Sequence, residues 1–316
     1  MSGNGPSRST SGRNVFDRAR RVYRRNSKRF ALGYPLLALI LLFAIPVALL
    51  VVMSFFPKPS GEYYRFGFTL RHYRRLFTVP LYLNKLAFTI WVSMATAFLC
   101  LFLGYPVAYF LSRLKSNLRL RVAMIVIISS MWLTYIIRAY AWSVILAKNG
   151  ILNDLLMTAG VIGSPLEISP GIWAMMIGMT YVFLPFAILT LYSSINNINP
   201  ELEEASKNLG ANRFQTFRKI VLPLSRNGIF GAWMLVFILA VGAYVVPSIL
   251  GSPSEWTLPV IIADQVTLEL NVPFGAALSF VLMLVVVVFL AIGSKYMGVS
   301  SSAIAGATPD DVGDSE

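Results

Sequence analysis

The segment EEASKNLGANRFQTFRKIVLPL, residues 203–224, lies between two long apolar runs of a very hydrophobic chain. It combines adjacent carboxylates, several basic side chains and one glycine, Gly210. Two helices that cross a membrane can be joined by a connection of about 2–8 residues. A charged, partly amphipathic segment of this length therefore indicates a role of its own, and the rest of the chain indicates what kind of protein carries it.

The composition indicates an integral membrane protein. Of the 316 residues, 56% are hydrophobic and 13% are charged, whereas soluble globular domains average about 25% charged residues. A hydrocarbon core of ~30 Å needs about 20 helical residues. Backbone groups in lipid must be paired within each span, and the ~10-residue alternation of a β-barrel is not seen, so the spans are predicted to be helices. The predicted fold class is all-α integral membrane, with six transmembrane helices near residues 31–56, 86–112, 122–147, 171–195, 227–251 and 276–294.

The distribution of Lys and Arg predicts which side each connection faces. With the N-terminus inside, the inner segments hold nineteen of these residues and the outer segments hold seven. The positive-inside rule then makes both termini, residues 113–121 and residues 200–223 cytoplasmic, and it places residues 57–85, 148–170 and 252–275 outside. The basic stretch TLRHYRRLF in the first outer segment opposes this assignment, but the inner segments outweigh it.

Three regions are predicted along the chain. They are a basic cytoplasmic tail at 1–30, expected to be disordered, a six-span membrane domain at 31–297, and an acidic cytoplasmic tail at 298–316. The apolar core of the first run is too long for a cleaved signal peptide. The basic tail also resembles an organellar transit peptide, although an anchor that sets topology is the simpler interpretation.

The sequence contains no pattern typical of a catalytic, cofactor-binding or metal site. The one cysteine, Cys100, lies within a predicted span, and the one histidine, His72, has no second metal-ligating residue near it in the sequence. Phosphate-binding, nucleophile-elbow and zinc-protease motifs are absent. The net charge of +13 comes from basic residues that flank spans, which does not indicate nucleic-acid binding. We therefore expect a protein that is not itself an enzyme.

The opening segment and the residues before it predict two short amphipathic helices. Apolar positions in ELEEASKNL, residues 201–209, are three and four apart, and a second such pattern follows in residues 211–222. Gly210 lies between them and can adopt a left-handed backbone that ends the first helix. Such a pair can dock a partner or lie flat on the bilayer. The carboxylates of the first helix favour docking, because an anionic leaflet attracts Lys and Arg and repels Glu.

Seven residues of this segment resemble a known family. The EAA loop of binding-protein-dependent ABC importer permeases has the pattern E-A-A-x(3)-G-x(9)-I-x-L-P. The chain matches it, with a serine for the second alanine, at Glu204, Ala205, Ser206, Gly210, Ile220, Leu222 and Pro223. The resemblance implies the type I importer permease fold, in the inner (cytoplasmic) membrane. It also implies that the loop couples the chain to a separate ATPase, with Glu204 against basic groups and Gly210 allowing a bend.

The same resemblance implies the partners. They are two copies of a cytoplasmic ATPase, a second permease subunit that is related but different, and an external solute-binding protein. ATP and Mg would be held by the ATPase, and this chain would bind no cofactor. Two such permeases would rock between outward-open and inward-open states.

Longer stretches are similar to the spermidine/putrescine permeases of first-subunit type. The similarity covers nearly all of residues 31–297 and implies a polyamine as the solute. It is carried by LGYPVAYFLSRL, IIRAYAWSVILAKNGILNDLL, YVFLPFAILTLYSSI and PFGAALSFVLMLV. Members of the same family carry iron or phosphonates, which leaves another small solute as the alternative. A secondary transporter would need inverted repeats or several intramembrane ion sites, and the sequence has neither.

Five residues are candidates for contact with the solute: Arg138, Tyr140, Trp142, Tyr181 and Asp264. Arg138 is the one charged residue within the predicted spans, and such residues face a bundle interior and suggest function. The alternative is a structural arginine that pairs with a helix end or a partner subunit. The aromatic residues can line a passage or form an interfacial belt. Asp264 lies in an outer segment with three carboxylates and no Lys or Arg, which suits either a cationic solute or a contact with the binding protein.

Overall fold

The computed structural model describes residues 40–59, 61, 63–114 and 116–296, and within these ranges the regular structure is helical, without a strand. A π-helical turn at Phe217–Val221 and a 3₁₀ turn at Pro253–Glu255 supplement the α-helices. The predicted tails at 1–30 and 298–316, together with residues 31–39 of the first predicted span, lie outside the described residues. The α-helices in chain order are α1 (Ile40–Met53), α2 (Arg71–Thr78), α3 (Pro80–Ser112), α4 (Asn117–Trp132), α5 (Tyr135–Ile145), α6 (Ile151–Thr158), α7 (Ile172–Asn196), α8 (Pro200–Asn208), α9 (Arg213–Thr216), α10 (Leu222–Leu224), α11 (Arg226–Val241), α12 (Val245–Leu250), α13 (Leu258–Thr267) and α14 (Val272–Tyr296).

Three helices form the centre of the bundle. α7 packs along α3, and α11 packs against both. Apolar side chains from all three, among them Val92, Met179 and Phe237, are fully buried there. α12 also packs against α7, and a Cβ at Gly178 of α7 would lie 2.4 Å from Leu250 Cδ1. A side chain at Gly178 would therefore force the Leu250 side chain to move.

Three helices, α3, α7 and α14, are long and apolar enough to cross a membrane as single elements. Two further candidates are bent: α4 meets α5 at 94°, and the segment Arg213–Leu224 meets α11 at 63°. The described part of the chain thus holds three possible spans, or five if each bent pair is one span. Six spans stay a prediction, because the first predicted span is described only from α1 onward.

The run at 122–147 is not the one continuous helix that its hydropathy predicts. Between α4 and α5, Thr134 has an extended backbone, and its Oγ1 accepts a hydrogen bond from the N–H of Ile137 at 3.5 Å. This is the geometry of an N-cap, which starts a new helix. Hydropathy does not reveal the break because the residues on both sides of it are apolar. The run at 227–251 is likewise divided, between α11 and α12.

Hydrogen bonds gather the predicted outer segments at one end of the bundle. Lys85, near the start of α3, donates from Nζ to the carbonyl of Ser254 at 2.8 Å. Lys58 donates from Nζ to the carbonyl of Glu269 at 2.5 Å. A backbone hydrogen bond also ties the start of α7 to the end of α12. The end of α3 and the 200–224 segment meet at the opposite end. Which of the two ends faces the cytoplasm stays a prediction.

Candidate functional site

The 200–224 segment forms the two short helices that its sequence pattern predicts, α8 and α9, with a break at Gly210. This glycine has φ +85°, in the left-handed region that favours glycine, and a Cβ there would meet nothing within 4 Å. Asn212 then starts α9 through a capping box, in which its side chain accepts from the N–H of Gln215 and the Gln215 side chain accepts from the N–H of Asn212. The chain continues through the π-helical turn and α10 into α11.

One side of this helix pair is exposed. Glu204 is exposed on α8, and the large apolar side chains of Leu202, Leu209 and Phe214 lie 46%, 89% and 67% exposed. The exposed surfaces of this helix pair therefore carry a carboxylate and large apolar side chains, groups that a protein partner can contact. Of the other residues matching the family pattern, four are exposed, Ile220 is half-buried and Ser206 is buried; the exposed ones are Ala205, Gly210, Leu222 and Pro223.

Ser206, the departure from the family pattern, fastens the two helices together. Its Oγ lies 2.6 Å from Thr216 Oγ1, and both side chains are buried. Thr216 Oγ1 also donates to the carbonyl of Asn212 at 3.1 Å. A buried hydroxyl needs a hydrogen-bond partner, and here each hydroxyl supplies one to the other. The serine therefore adds a polar contact at the inner corner of the helix pair.

The structure also brings in two residues that the sequence analysis did not single out, Glu203 and Arg113. Glu203 is buried, and its Oε1 forms an ion pair with Nη2 of Arg113, which caps the end of α3. Neighbouring positions on a helix point about 100° apart, so Glu203 faces the bundle while Glu204 faces outward. The sequence offers one signal for this arrangement: Glu203 and Ser206 are three apart and so share one face.

The five candidate pathway residues do not form one site. Trp142 and Tyr181 meet edge to face with ring centroids 5.5 Å apart, and both line a cavity of about 430 Å³ between α3, α5 and α7. Tyr140 is 59% exposed. Among the described residues, no hydrogen bond or ring contact joins Tyr140, Arg138 or Asp264 to this pair. The remaining lining of the cavity is almost entirely apolar, from Leu99, Leu103, Trp173, Met176, Ile177, Thr180 and Leu184.

Arg138 lies buried in α5, with 4% of its surface exposed. Its guanidinium carbon lies 5.0 Å from the ring centre of Tyr135, and within the described part of the chain its Nε and Nη1 atoms have no hydrogen-bond partner. Asp264 lies half-buried in α13.

Long apolar helices pack into a bundle, and a partly exposed pair of short helices lies at one end. These features define the class of the protein, a helical membrane component. A family model described as "Binding-protein-dependent transport system inner membrane component" matches residues 101–297. The chain belongs to this family, and it is a permease subunit of an ABC importer.

Two relatives and one solved structure illustrate the similarity. The spermidine/putrescine transport system permease protein PotB of Escherichia coli K12 is 34% identical over 247 residues, covering 78% of this chain and 89% of PotB. PotB of Haemophilus influenzae is 34% identical over 241 residues, covering 76% and 84%. A bacterial alginate ABC transporter, solved in complex with an alginate pentasaccharide-bound periplasmic protein, superposes with TM-score 0.68 at 16% identity, covering 91% of this chain and 98% of that one. The structural likeness shows the type I permease fold.

Proposed function

We propose that the chain forms half of a membrane pathway that imports a polyamine, such as spermidine or putrescine, and that a separate ATPase drives it through the 200–224 segment. The observation that carries this proposal is the similarity to PotB over more than three quarters of the chain. The coupling part rests on the geometry of α8 and α9. These helices expose Glu204 and several large apolar side chains at the end of the bundle where the predicted cytoplasmic segments meet.

The partners and the location follow from the same proposal. Two ATPase subunits, holding ATP and Mg, dock on this chain and on a second permease, which is related but different. A solute-binding protein docks at the opposite end; the alginate transporter was solved in complex with a periplasmic protein. The chain has six spans in the cytoplasmic membrane, with both termini inside. The basic segment 1–30 anchors the inner side, and residues 298–316 form an acidic tail there.

A polyamine suits the charges at the proposed outer end. Residues 252–275 contain three carboxylates and no Lys or Arg. Glu255 is engaged within its own turn, where Ser252 Oγ donates to Glu255 Oε2 at 2.7 Å. Asp264 accepts no such side-chain hydrogen bond among the described residues, which leaves it for a passing cation. One carboxylate at ~4 Å attracts a unit positive charge by about 4 kcal/mol at an effective dielectric constant near 20. Trp142 and Tyr181 add cation–π attraction of about 0.5–2 kcal/mol each where their faces are reached.

The buried Arg138 favours a second candidate, an anionic solute such as a phosphonate. A fixed positive charge on the pathway repels a polycation and attracts an anion. The polyamine proposal therefore requires that Arg138 be neutralised by the second permease subunit, rather than lie open to the solute.

The test is ATP-dependent uptake into proteoliposomes that hold the whole complex with its binding protein. Labelled spermidine and putrescine are compared with a labelled phosphonate. We expect polyamine uptake, and about tenfold weaker uptake after Asp264→Asn, since a lost carboxylate contact of ~1.4 kcal/mol corresponds to that factor. The matched control is Asp154→Asn, which removes a carboxylate from another predicted outer segment. Uptake of the phosphonate alone, insensitive to Asp264→Asn, would discard the polyamine and leave the importer class intact.

A further inference from the structure

The half of α3 that ends at Ser112 presents three residues to the 200–224 segment, which is called the coupling segment here after its proposed role. Tyr105, Tyr109 and Arg113 are each four residues apart, so they form one stripe along the helix. The Arg113 guanidinium carbon lies 5.3 Å from the ring centre of Tyr109. The stripe therefore ends in a cation held against an aromatic face, at the point where α3 stops.

Each residue of the stripe contacts a different part of the coupling segment. The ring of Phe217, in the π-helical turn, lies edge to face with Tyr105 and Tyr109, with centroids 5.7 Å and 5.2 Å away. The hydroxyl of Tyr105 lies 2.8 Å from Oγ of Ser225, a fully buried residue just before α11. At the far end of the stripe, Arg113 pairs with Glu203 of α8. The three contacts span α8, the π-helical turn and the start of α11.

The pair at α8 differs from the other two contacts. α8 lies between two breaks in the backbone, the turn after α7 and the left-handed Gly210. A short helix between two such breaks can pivot unless a side chain holds it. Ser206 ties α8 to α9, whereas Glu203 ties it to a helix that is long enough to span the membrane. Glu203 is 8% exposed at its side chain and Arg113 is 29% exposed, so the ion pair is only partly screened by water.

From this geometry we infer that Glu203 and Arg113 are positioning residues, which lock α8 to α3 so that the docking helix and the spanning helix move as one body. The inference rests on the proposed coupling role of the 200–224 segment. Glu204 meets the ATPase, and Glu203, on the adjacent face, passes the displacement to α3. Without the ion pair, α8 keeps its tie to α9 through Ser206 but loses its direct tie to α3, so ATP hydrolysis proceeds with less movement of the spanning helices.

The first test separates docking from transmission in the reconstituted complex. Glu203→Gln and Arg113→Gln are expected to leave co-purification of the ATPase unchanged and to lower the amount of spermidine transported per ATP hydrolysed by about fivefold or more. The double exchange of Glu203→Arg with Arg113→Glu restores the ion pair with reversed charges. It is expected to recover most of the spermidine transported per ATP hydrolysed. Glu201→Gln, an exposed carboxylate two residues away on α8, is the control and keeps the wild-type ratio. If Glu203→Gln does not accumulate in the membrane, Glu203→Asp keeps the charge, shortens the reach and is expected to lower the ratio partially.

A structural role alone would lower abundance and thermal stability without changing the ratio of solute to ATP. An unchanged ratio in Glu203→Gln or Glu203→Asp, or an exchange variant no better than the single variants, overturns the inference. A wild-type complex that hydrolyses ATP in response to its loaded binding protein but moves no spermidine contradicts the polyamine proposal instead.

The second test needs no knowledge of the solute. Nitroxide labels at Phe110 on α3 and Glu201 on α8, both exposed, are placed in a Cys100→Ala background. Pulsed electron resonance then measures the distance between the labels in the nucleotide-free complex and in the complex trapped with ATP and vanadate. We expect one distance in both states of the otherwise wild-type chain and a shifted or broadened distribution in Glu203→Gln. A wild-type distance that changes on trapping, or a Glu203→Gln distribution that matches the wild type, shows that the two helices are not locked by this pair.

Discussion

The hydroxyl oxygens of Ser206 and Thr216 lie 2.6 Å apart, at the buried corner between two helices that expose their opposite side. Thr216 has a second partner in the carbonyl of Asn212, while the contact with Thr216 is the one side-chain hydrogen bond described for Ser206. Loss of the Thr216 hydroxyl therefore leaves the Ser206 hydroxyl without its side-chain partner, whereas loss of the Ser206 hydroxyl leaves Thr216 bonded to Asn212.

We therefore expect the substitutions Thr216→Val and Ser206→Ala to lower the free energy of unfolding by different amounts. Thr216→Val leaves the buried Ser206 hydroxyl without its partner and is expected to destabilise by about 1–3 kcal/mol. Ser206→Ala leaves Thr216 bonded to Asn212 and is expected to cost about 1 kcal/mol or less. The double variant should then be no less stable than Thr216→Val alone. Thermal unfolding of the purified complex measures all three, and equal costs for the two single changes would contradict the assignment.

Glu204 is expected to act in docking. Glu204→Lys places a cation against the basic groups proposed for the ATPase, and it should reduce co-purification of the ATPase by about 30-fold or more, as loss of a desolvated charge pair at an interface does. Insertion into the membrane should be normal, because the side chain is exposed. Glu201→Lys reverses a nearby exposed carboxylate and serves as the control. Full co-purification and wild-type uptake in Glu204→Lys would show that this face does not meet the ATPase.

Gly210 should tolerate substitution according to backbone preference and not according to side-chain size. A Cβ meets no atom within 4 Å, so the cost comes from φ +85° alone. We expect Gly210→Asn to keep most uptake, because asparagine visits this region most readily, and Gly210→Val to lose it, at a conformational cost of about 1–2 kcal/mol. Gly210→Asp should be intermediate in backbone cost, yet its added carboxylate beside the docking face is expected to impair uptake strongly. Similar uptake in the asparagine and valine variants would exclude a left-handed requirement at this position.

His72 predicts a pH dependence at the other end of the molecule. The ring is buried against Phe274, and its Nε2 donates to the carbonyl of Phe56 at 2.9 Å. Burial, with a smaller contribution from Arg71 and Arg75, lowers the pKa of His72 below its ordinary value of 6.5, although the hydrogen bond to Phe56 opposes this. The folded state then binds a proton less readily than the unfolded state. The contribution of neutral His72 to the free energy of unfolding is therefore fully present above pH 6.5, and it falls as the pH drops through the lowered pKa.

His72 is the only histidine of the chain, so a single variant isolates this effect. Between about pH 7.5 and pH 5.5, the midpoint of thermal unfolding should fall further in the wild type than in His72→Gln, which keeps a hydrogen-bond donor but cannot titrate. Parallel pH profiles for the two proteins would show that His72 does not contribute.

The proposed topology is tested most directly at exposed positions. Single cysteines at Phe66 and Leu118, which are 82% and 72% exposed, are introduced in a Cys100→Ala background. A membrane-impermeant maleimide is expected to label the cysteine at 66 in intact cells, and the cysteine at 118 only after the membrane is opened. The reverse pattern would invert the orientation derived from Lys and Arg.

Local signals account for the part of this molecule that could be predicted from the sequence. Spans appear as apolar runs, and α8 and α9 appear as periodic apolar positions separated by a glycine. The features that the sequence did not predict depend on contacts between distant residues or on a local change of backbone direction. No feature of EE at 203–204 says that the first carboxylate meets Arg113, 90 residues earlier in the chain. The 94° bend before α5 is equally hidden, because a threonine cap within apolar residues changes the direction of the chain without changing its hydropathy.

The length of α3 has a mechanical consequence. Its 33 residues, at about 1.5 Å each, extend over about 50 Å, well beyond a hydrocarbon core of ~30 Å. This length leaves several residues beyond the hydrocarbon core. Near the start of α3, Lys85 donates a hydrogen bond to the carbonyl of Ser254, and at its end Arg113 pairs with Glu203 of α8. In the proposed topology, one helix therefore contacts a connection on each side of the membrane, so a displacement of the 200–224 segment can reach the outer end without passing through a loop.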